Sequence, residues 1–186
     1  MLFTYGLVLL RYYGVSAEKL GLFLVPLALG NWLGPIIMGR LFDTVGRKPM
    51  IAATYIGSGI LLADTAWLFR IGVLTAFTQA VCWSVTFFVA SSAASAAYLT
   101  VSEIFSLEIR AVAISIFYAC GTLVGGVAGP ALYGYIVGTG SRSFLFWGYI
   151  AGAVIIAIGG LFELWLGINA ERQSLEHVAL PLACRD

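Results

Sequence analysis

Gly39-Arg40-Leu41-Phe42-Asp43-Thr44-Val45-Gly46-Arg47-Lys48 is a short charged turn set between two long apolar runs, residues 20–42 and 50–69. An acid and two adjacent bases between two runs of that length read as a tight loop at a membrane surface. Gly39 lets one helix end approach a neighbour, and Gly46 supplies a positive φ that reverses the chain. Asp43 is placed to accept hydrogen bonds from the N–H groups that open the next helix, where negative charge is favoured. Arg47 and Lys48 stay at the headgroup level and anchor the turn on the cytoplasmic side.

The rest of the chain has the same character. Of 186 residues, 61% are hydrophobic and 10% charged, and the mean hydropathy is +0.98. A soluble chain normally carries about a quarter charged residues. The net charge of +1 offers no electrostatic case for nucleic acid. Cys82, Cys120 and Cys184 have no CxxC spacing, which argues against a disulfide framework or a zinc site. No basic segment precedes a cleavable apolar one, so a signal peptide is not expected.

Crossing a hydrocarbon core takes roughly 20 helical residues. Five stretches have that length: 20–42, 50–69, 73–102, 110–138 and 143–168. In lipid the backbone must satisfy itself, so such runs are helices. The alternation of an outer-membrane barrel is missing. The first segment, 1–13, is apolar but only half as long as a span; it reads as a short interfacial piece or, the reading preferred, as the end of a sixth helix that starts before Met1. The expected fold is therefore all-α: a polytopic bundle over 1–168, followed by a polar cytoplasmic tail over 169–186. With that topology the inner loops hold Arg40, Arg47, Lys48, Arg110, Arg172 and Arg185, and the outer ones Arg11, Lys19, Arg70 and Arg142. The excess has the sign of the positive-inside rule.

The spacing G-x3-D-x2-G-R-K of the opening turn resembles the signature loop of the major facilitator superfamily of secondary transporters. Glu103-Ile104-Phe105-Ser106-Leu107-Glu108-Ile109-Arg110 resembles the E-x-F-P-x-x-x-R segment of its sugar-porter branch, with Ser106 in place of the proline. Ala170-Glu171-Arg172-Gln173-Ser174-Leu175-Glu176 is similar to that branch's P-E-T-K-G-x-x-L-E-E ending, without its proline and lysine. In this superfamily two six-helix bundles are related by an axis along the membrane normal. The order of the motifs matches the C-terminal bundle, helices seven to twelve, and the resemblance implies an N-terminal bundle that this chain does not contain.

The same resemblance implies roles for particular residues. Asp43, Arg47, Lys48, Glu103 and Arg110 would form an ion-pair latch that closes the cytoplasmic end in one state and breaks in the other. Static topology anchoring is the plainer reading of the same charges. The substrate site would lie near mid-membrane between the bundles. Polar side chains at that depth are costly and are candidates by default. Asn31, twelve residues before Asp43, matches a sugar-contacting asparagine, or else serves an interhelical hydrogen bond. Tyr98 lies where sugar porters have a substrate-contacting tryptophan, and Tyr5 matches a gating tyrosine of helix seven. Around them the sequence departs from the sugar-porter pattern: 91–97 is Ser-Ser-Ala-Ala-Ser-Ala-Ala, and Gly121 stands where a polar ligand is common.

Gln79 reads as packing glue. Asp64 and Glu163 could handle protons or simply reach the interface, and His177 belongs to the solvated tail. Gly121, Gly125 and Gly129 recur every four residues before Pro130, and Gly30 and Gly34 precede Pro35. These are smooth faces for close helix packing, with bending at the prolines as an addition. The function expected is transport of a small polar solute, a sugar or related metabolite, by alternating access, through a multi-pass protein of a plasma or bacterial inner membrane with a cytoplasmic C-terminus. Its partners would be the solute, the bilayer, the missing N-terminal bundle and a coupling proton. No metal, cofactor or nucleic acid is called for. An enzyme is disfavoured, since no nucleophile with a nearby base and no acid pair at catalytic spacing stands out. The alternatives are a half-transporter that pairs with itself or with a separate N-terminal bundle, and a non-functional gene fragment.

Overall fold

A long apolar run cannot leave its backbone groups unpaired in lipid, so such runs become rods and the breaks carry the turn chemistry. The computed structural model describes residues 2–167, and what it describes is all-helical. The helices are α1 (Leu2–Tyr13), α2 (Ala17–Thr44), α3 (Arg47–Ile71), α4 (Ala76–Ile104), α5 (Leu107–Gly121), α6 (Gly129–Gly138) and α7 (Arg142–Leu166). Five rods are long and apolar enough to cross a membrane: α2, α3, α4, the continuous stretch Glu108–Gly138, and α7. They coincide with the five runs read from the sequence. The tail motif at 170–176, His177 and Cys184 lie outside the described residues.

The breaks follow local chemistry. At the α2–α3 turn Gly46 has φ 115° and ψ 145°, a conformation close to one that only glycine occupies without strain. Gly46→Ala is expected to cost about 1–3 kcal/mol, read as a lower melting temperature in detergent; an unchanged melting temperature would show that the turn accepts a Cβ. Thr75 opens α4 with a capping box, its side chain accepting from the Thr78 N–H while Thr78 accepts from the Thr75 N–H. Ser141 caps α7 by accepting from the Phe144 N–H at 3.3 Å.

Two expectations for the turn are corrected. Asp43 does not cap α3: the capping position is Gly46, no side chain caps there, and the Asp43 side chain is 68% exposed. The reason is geometric, because Asp43 still belongs to the last turn of α2 and its side chain leaves that helix before the chain reverses. Gly39 has no close neighbour, since a Cβ there would meet nothing within 4 Å. It sits on a face of α2 that no described helix covers.

Run 110–138 is one rod but not one regular helix. Between α5 and α6 the stretch Thr122–Ala128 is π-helical, and the Gly129 N–H donates to the Val124 carbonyl five residues back. Pro130 has no N–H and its ring opposes the carbonyl four residues before it, at Gly126. A wider turn absorbs both effects, and Gly125 and Gly126 have no side chains to resist it.

Packing places α7 on α3, α3 on α4, and α4 on α2, while α1 lies against α2 and α6. Backbones meet where residues are small. A Cβ on Gly30 would come 2.5 Å from the Ser84 carbonyl oxygen, and one on Gly34 would strike the Phe88 carbonyl. The serines facing them are satisfied within α4: Ser84 donates to the Ala80 carbonyl at 2.7 Å and Ser92 to that of Phe88 at 2.9 Å. On the other pair, Gly59 faces the Ala153 carbonyl and Gly160 that of Ala52, each at 2.9 Å from its Cβ position. The trio Gly121, Gly125 and Gly129 is placed differently. Gly125 has nothing within 4 Å, Gly121 reaches only the Tyr98 hydroxyl at 3.9 Å, and Gly129 only its own rod. The rod touches the remaining helices through Phe117 and Tyr118 against Tyr98, and through α6 against α1 and α7, where the Tyr133 hydroxyl donates to the Gly148 carbonyl at 2.7 Å.

Candidate functional site

The α2–α3 turn and the end of α4 meet at one end of the bundle. Arg47 is the first residue of α3, and Glu103 is one residue from the end of α4. Their side chains form an ion pair with a hydrogen bond from Nη1 to Oε2. The same guanidinium approaches Asp43 through Nη2, 3.9 Å from Oδ1. One cation therefore bridges carboxylates from α2 and α4 while belonging to α3. The pairs differ in environment: the Arg47 and Glu103 side chains are 11% and 21% exposed, against 68% for Asp43. The first contact is shielded, so removing one partner leaves the other charge poorly hydrated, while the second faces solvent and contributes little.

Arg110 joins this end by another route. Its Nε donates to the Phe105 carbonyl at 3.3 Å, binding a backbone group in the break between α4 and α5. Lys48 acts electrostatically on Glu163, near the end of α7. The Oε1 atom of Glu163 is buried without a hydrogen-bond partner among the described residues. The five residues of the expected latch thus lie around two breaks in the chain, α2–α3 and α4–α5, which the Arg47–Glu103 pair links.

The polar candidates at mid-helix are not gathered into one place. Asn31 is exposed on α2, beside Trp32 at 64% exposure. Tyr98 turns toward α5, edge-on to Phe117 with ring centroids 5.2 Å apart. Tyr5 is buried between α1 and α4, 4.3 Å from the Trp83 ring and 5.5 Å from Phe87. Phe87 and Tyr98 are eleven residues apart on α4, which is about 16 Å along the helix axis. Tyr5 and Tyr98 therefore occupy separate neighbourhoods.

The bundle of apolar rods, the glycine-pivoted turn and the ionic cluster beneath it agree with a match to the Major Facilitator Superfamily over residues 1–179. The chain belongs to that superfamily. Among curated proteins it is similar to the "Ascochitine biosynthesis cluster MFS transporter" of Didymella fabae, with 30% identity over 128 residues. That alignment covers 67% of this chain and 23% of the relative, so the matched region spans under a quarter of the relative's length. No solved structure gives a significant match. The superfamily and the relative point to a membrane transporter rather than an enzyme.

The opposite end of this superfamily member carries contacts that the sequence motifs do not single out. There the Arg70 guanidinium sits 4.8 Å from the Phe146 ring centroid, and Arg142 sits 5.5 Å from that of Phe69. The Tyr13 hydroxyl donates to Gln79 Oε1 at 3.0 Å across α1 and α4. A signal was present in the spacing of Gln79 and Trp83, four residues apart on one helix face. Their apolar surroundings hid it.

Proposed function

We propose that this chain is the six-helix C-terminal half of a secondary transporter that moves a small polar solute, a sugar or related metabolite, by alternating access. The Arg47–Glu103 ion pair carries the reading. It ties the α2–α3 turn to the end of α4 by a contact that can open without unfolding either helix. A shielded pair resists opening until new partners replace the old ones, which is what a two-state latch needs. The order of the signature turn, the Glu103–Arg110 segment and the tail supports assignment to the C-terminal half. Asn31 and Tyr98, both exposed in this chain, are the residues we assign to solute contact. An N-terminal bundle would complete the cavity over them, with the latch on the cytoplasmic side and a proton as coupling ion.

Proteoliposomes carrying this chain alone are expected to show no saturable uptake of labelled hexoses, pentoses or polyols. Co-expression with a six-span N-terminal half is expected to produce competitive, saturable uptake that Asn31→Ala weakens. Saturable uptake by the chain alone would overturn the reading of it as a fragment that needs a separate N-terminal half. It would favour self-pairing, for which the exposed face of α2 around Leu22 (74%) and Trp32 (64%) is the available surface. Crosslinking through a cysteine at position 31 separates the two arrangements.

A further inference from the structure

The end of the bundle opposite the Arg47–Glu103 pair gathers cations at its breaks. Arg11 lies in the last turn of α1, Arg70 in the last turn of α3, and Arg142 opens α7. All three are exposed. The ion pairs among the described residues are both made by Arg47, so none of these three has a carboxylate partner there. The acids nearest in sequence do not fill that role. Glu18 adjoins Lys19, and Asp64 lies six residues before Arg70, about 9 Å along the helix axis.

The guanidiniums are held in a common neighbourhood. Helices α3 and α7 exchange theirs: Arg70 lies 4.8 Å from the Phe146 ring centroid and Arg142 lies 5.5 Å from that of Phe69. Arg142 Nη1 is 3.2 Å from the Cβ position of Gly72, and Arg11 Nη2 is 3.5 Å from that of Gly140, two residues before Arg142. Neither glycine has a side chain to displace the group beside it. The Phe69 ring is shared, since Tyr12 meets it edge-on with centroids 5.3 Å apart. The Tyr12 hydroxyl lies in the field of both Arg11 and Arg142.

That hydroxyl is an independent sign of a missing partner. Its oxygen is buried, and it has no hydrogen-bond partner among the described residues. A phenol both donates and accepts, so turning the group does not supply one. Buried hydroxyls are seldom left this way. A guanidinium over a ring uses its face, which leaves its N–H groups in the plane and free to donate. Cations gathered without an acid repel one another, and an anion among them relieves the repulsion.

The arrangement also selects the anion. A planar carboxylate matches a single guanidinium fork, whereas donors arriving from different helices suit oxygens that point in several directions, as those of phosphate do. Trp67 and Trp147, 56% and 60% exposed, lie three residues before Arg70 and five after Arg142. Exposed tryptophans near helix ends sit at the headgroup level of a membrane. That depth brings lipid phosphate within reach of the exposed arginine side chains.

We propose that Arg11, Arg142 and Tyr12, with Arg70 beside them, bind one phosphate group, either of an anionic phospholipid headgroup or of a free phosphate ion. The site lies at the end of the bundle away from the latch, and it does not depend on the transport reading.

Thermal unfolding of the purified chain in a neutral detergent tests this. Phosphatidylglycerol added to the micelles is expected to raise the melting temperature saturably, and diacylglycerol, which has no phosphate, is expected not to. A rise with the lipid alone identifies the headgroup as the source. A rise that sodium phosphate also produces, over sodium chloride at equal ionic strength, identifies the free ion. A rise with neither overturns the proposal. Arg11→Gln/Arg142→Gln is expected to raise the half-saturating concentration about tenfold or more, and Tyr12→Phe, which keeps the ring on Phe69, about fivefold. Lys19→Gln/Arg40→Gln removes as many charges and is expected to leave it unchanged. An unchanged value in either site variant, or equal losses in the two double variants, would overturn the site. Uptake is not measured in any arm, so failure here and failure of the transport reading remain distinct.

Discussion

Gly34→Ala is expected to lower the stability of the bundle by several kcal/mol, on the order of the upper end of the range for overpacked sites. The reason lies in what the new methyl group would meet. It would run into the Phe88 carbonyl oxygen, and it would lie 2.8 Å from Ser91 Oγ and 2.9 Å from Ser92 Oγ. Serine hydroxyls can rotate away, but a helix carbonyl cannot, so α2 and α4 have to separate. Separation loses dispersion contacts along the whole seam, and in lipid those contacts drive helix association. Gly30→Ala acts in the same direction through the Ser84 carbonyl. Gly39→Ala is the control: it has nothing within 4 Å, and alanine favours a helix by up to about 1 kcal/mol over glycine. Thermal unfolding in detergent would show Gly34→Ala well below the parent and Gly39→Ala at or above it. If the two variants melt together, the α2–α4 seam is not as close as described.

Breaking the latch is the second large effect. Arg47→Met leaves Glu103 partly shielded without its cation, and is expected to cost about 2–3 kcal/mol, below the roughly 3–5 kcal/mol of a fully buried pair. The discount follows from the 21% exposure of the Glu103 side chain. Glu103→Gln strands the guanidinium less severely, because Asp43 still lies 3.9 Å away. In a double-mutant cycle Arg47 and Glu103 should show a coupling of about 1–2 kcal/mol. Asp43→Asn, acting on the exposed contact, should cost under about 1 kcal/mol. Equal effects of Asp43→Asn and Glu103→Gln would remove the distinction between a shielded and an exposed arm. Under the transport reading Arg47→Met also shifts the bundle toward the state in which this end is open, detectable as faster labelling of a cysteine placed beside the cluster.

Part of this site is legible in the sequence. Arg47, Asp43 and Glu103 stand out because charges are rare in the chain and fall at the ends of apolar runs. What their positions do not show is which carboxylate Arg47 chooses. Asp43 is four residues away on the sequence and Glu103 fifty-six, yet the distant one makes the shielded contact. Arg110 is expected in the same ionic group, and it binds the Phe105 carbonyl. Among the glycines, spacing alone makes Gly30–Gly34 and Gly121–Gly125–Gly129 look equivalent. The first pair lies under a neighbouring helix, and the second borders a π-helical stretch that has no helix against Gly125.

The number and extent of the long helices, the reversal at Gly46 and the gathering of charge at one end all follow from the order of residues alone. The rules behind them are local: lipid forces the backbone to bond within its own run, and a positive φ calls for glycine. Three features needed the folded bundle: the pairing of α2 with α4 and of α3 with α7, the reach of Arg47 to Glu103, and the enclosure of Gln79 and Trp83 against α1. In a soluble protein an apolar stripe marks the buried face. In a membrane a leucine facing lipid and a leucine facing another helix look alike. Partners are therefore chosen by the fit of surfaces, such as Gly34 beneath the Phe88 carbonyl, and that fit exists only once the helices are side by side.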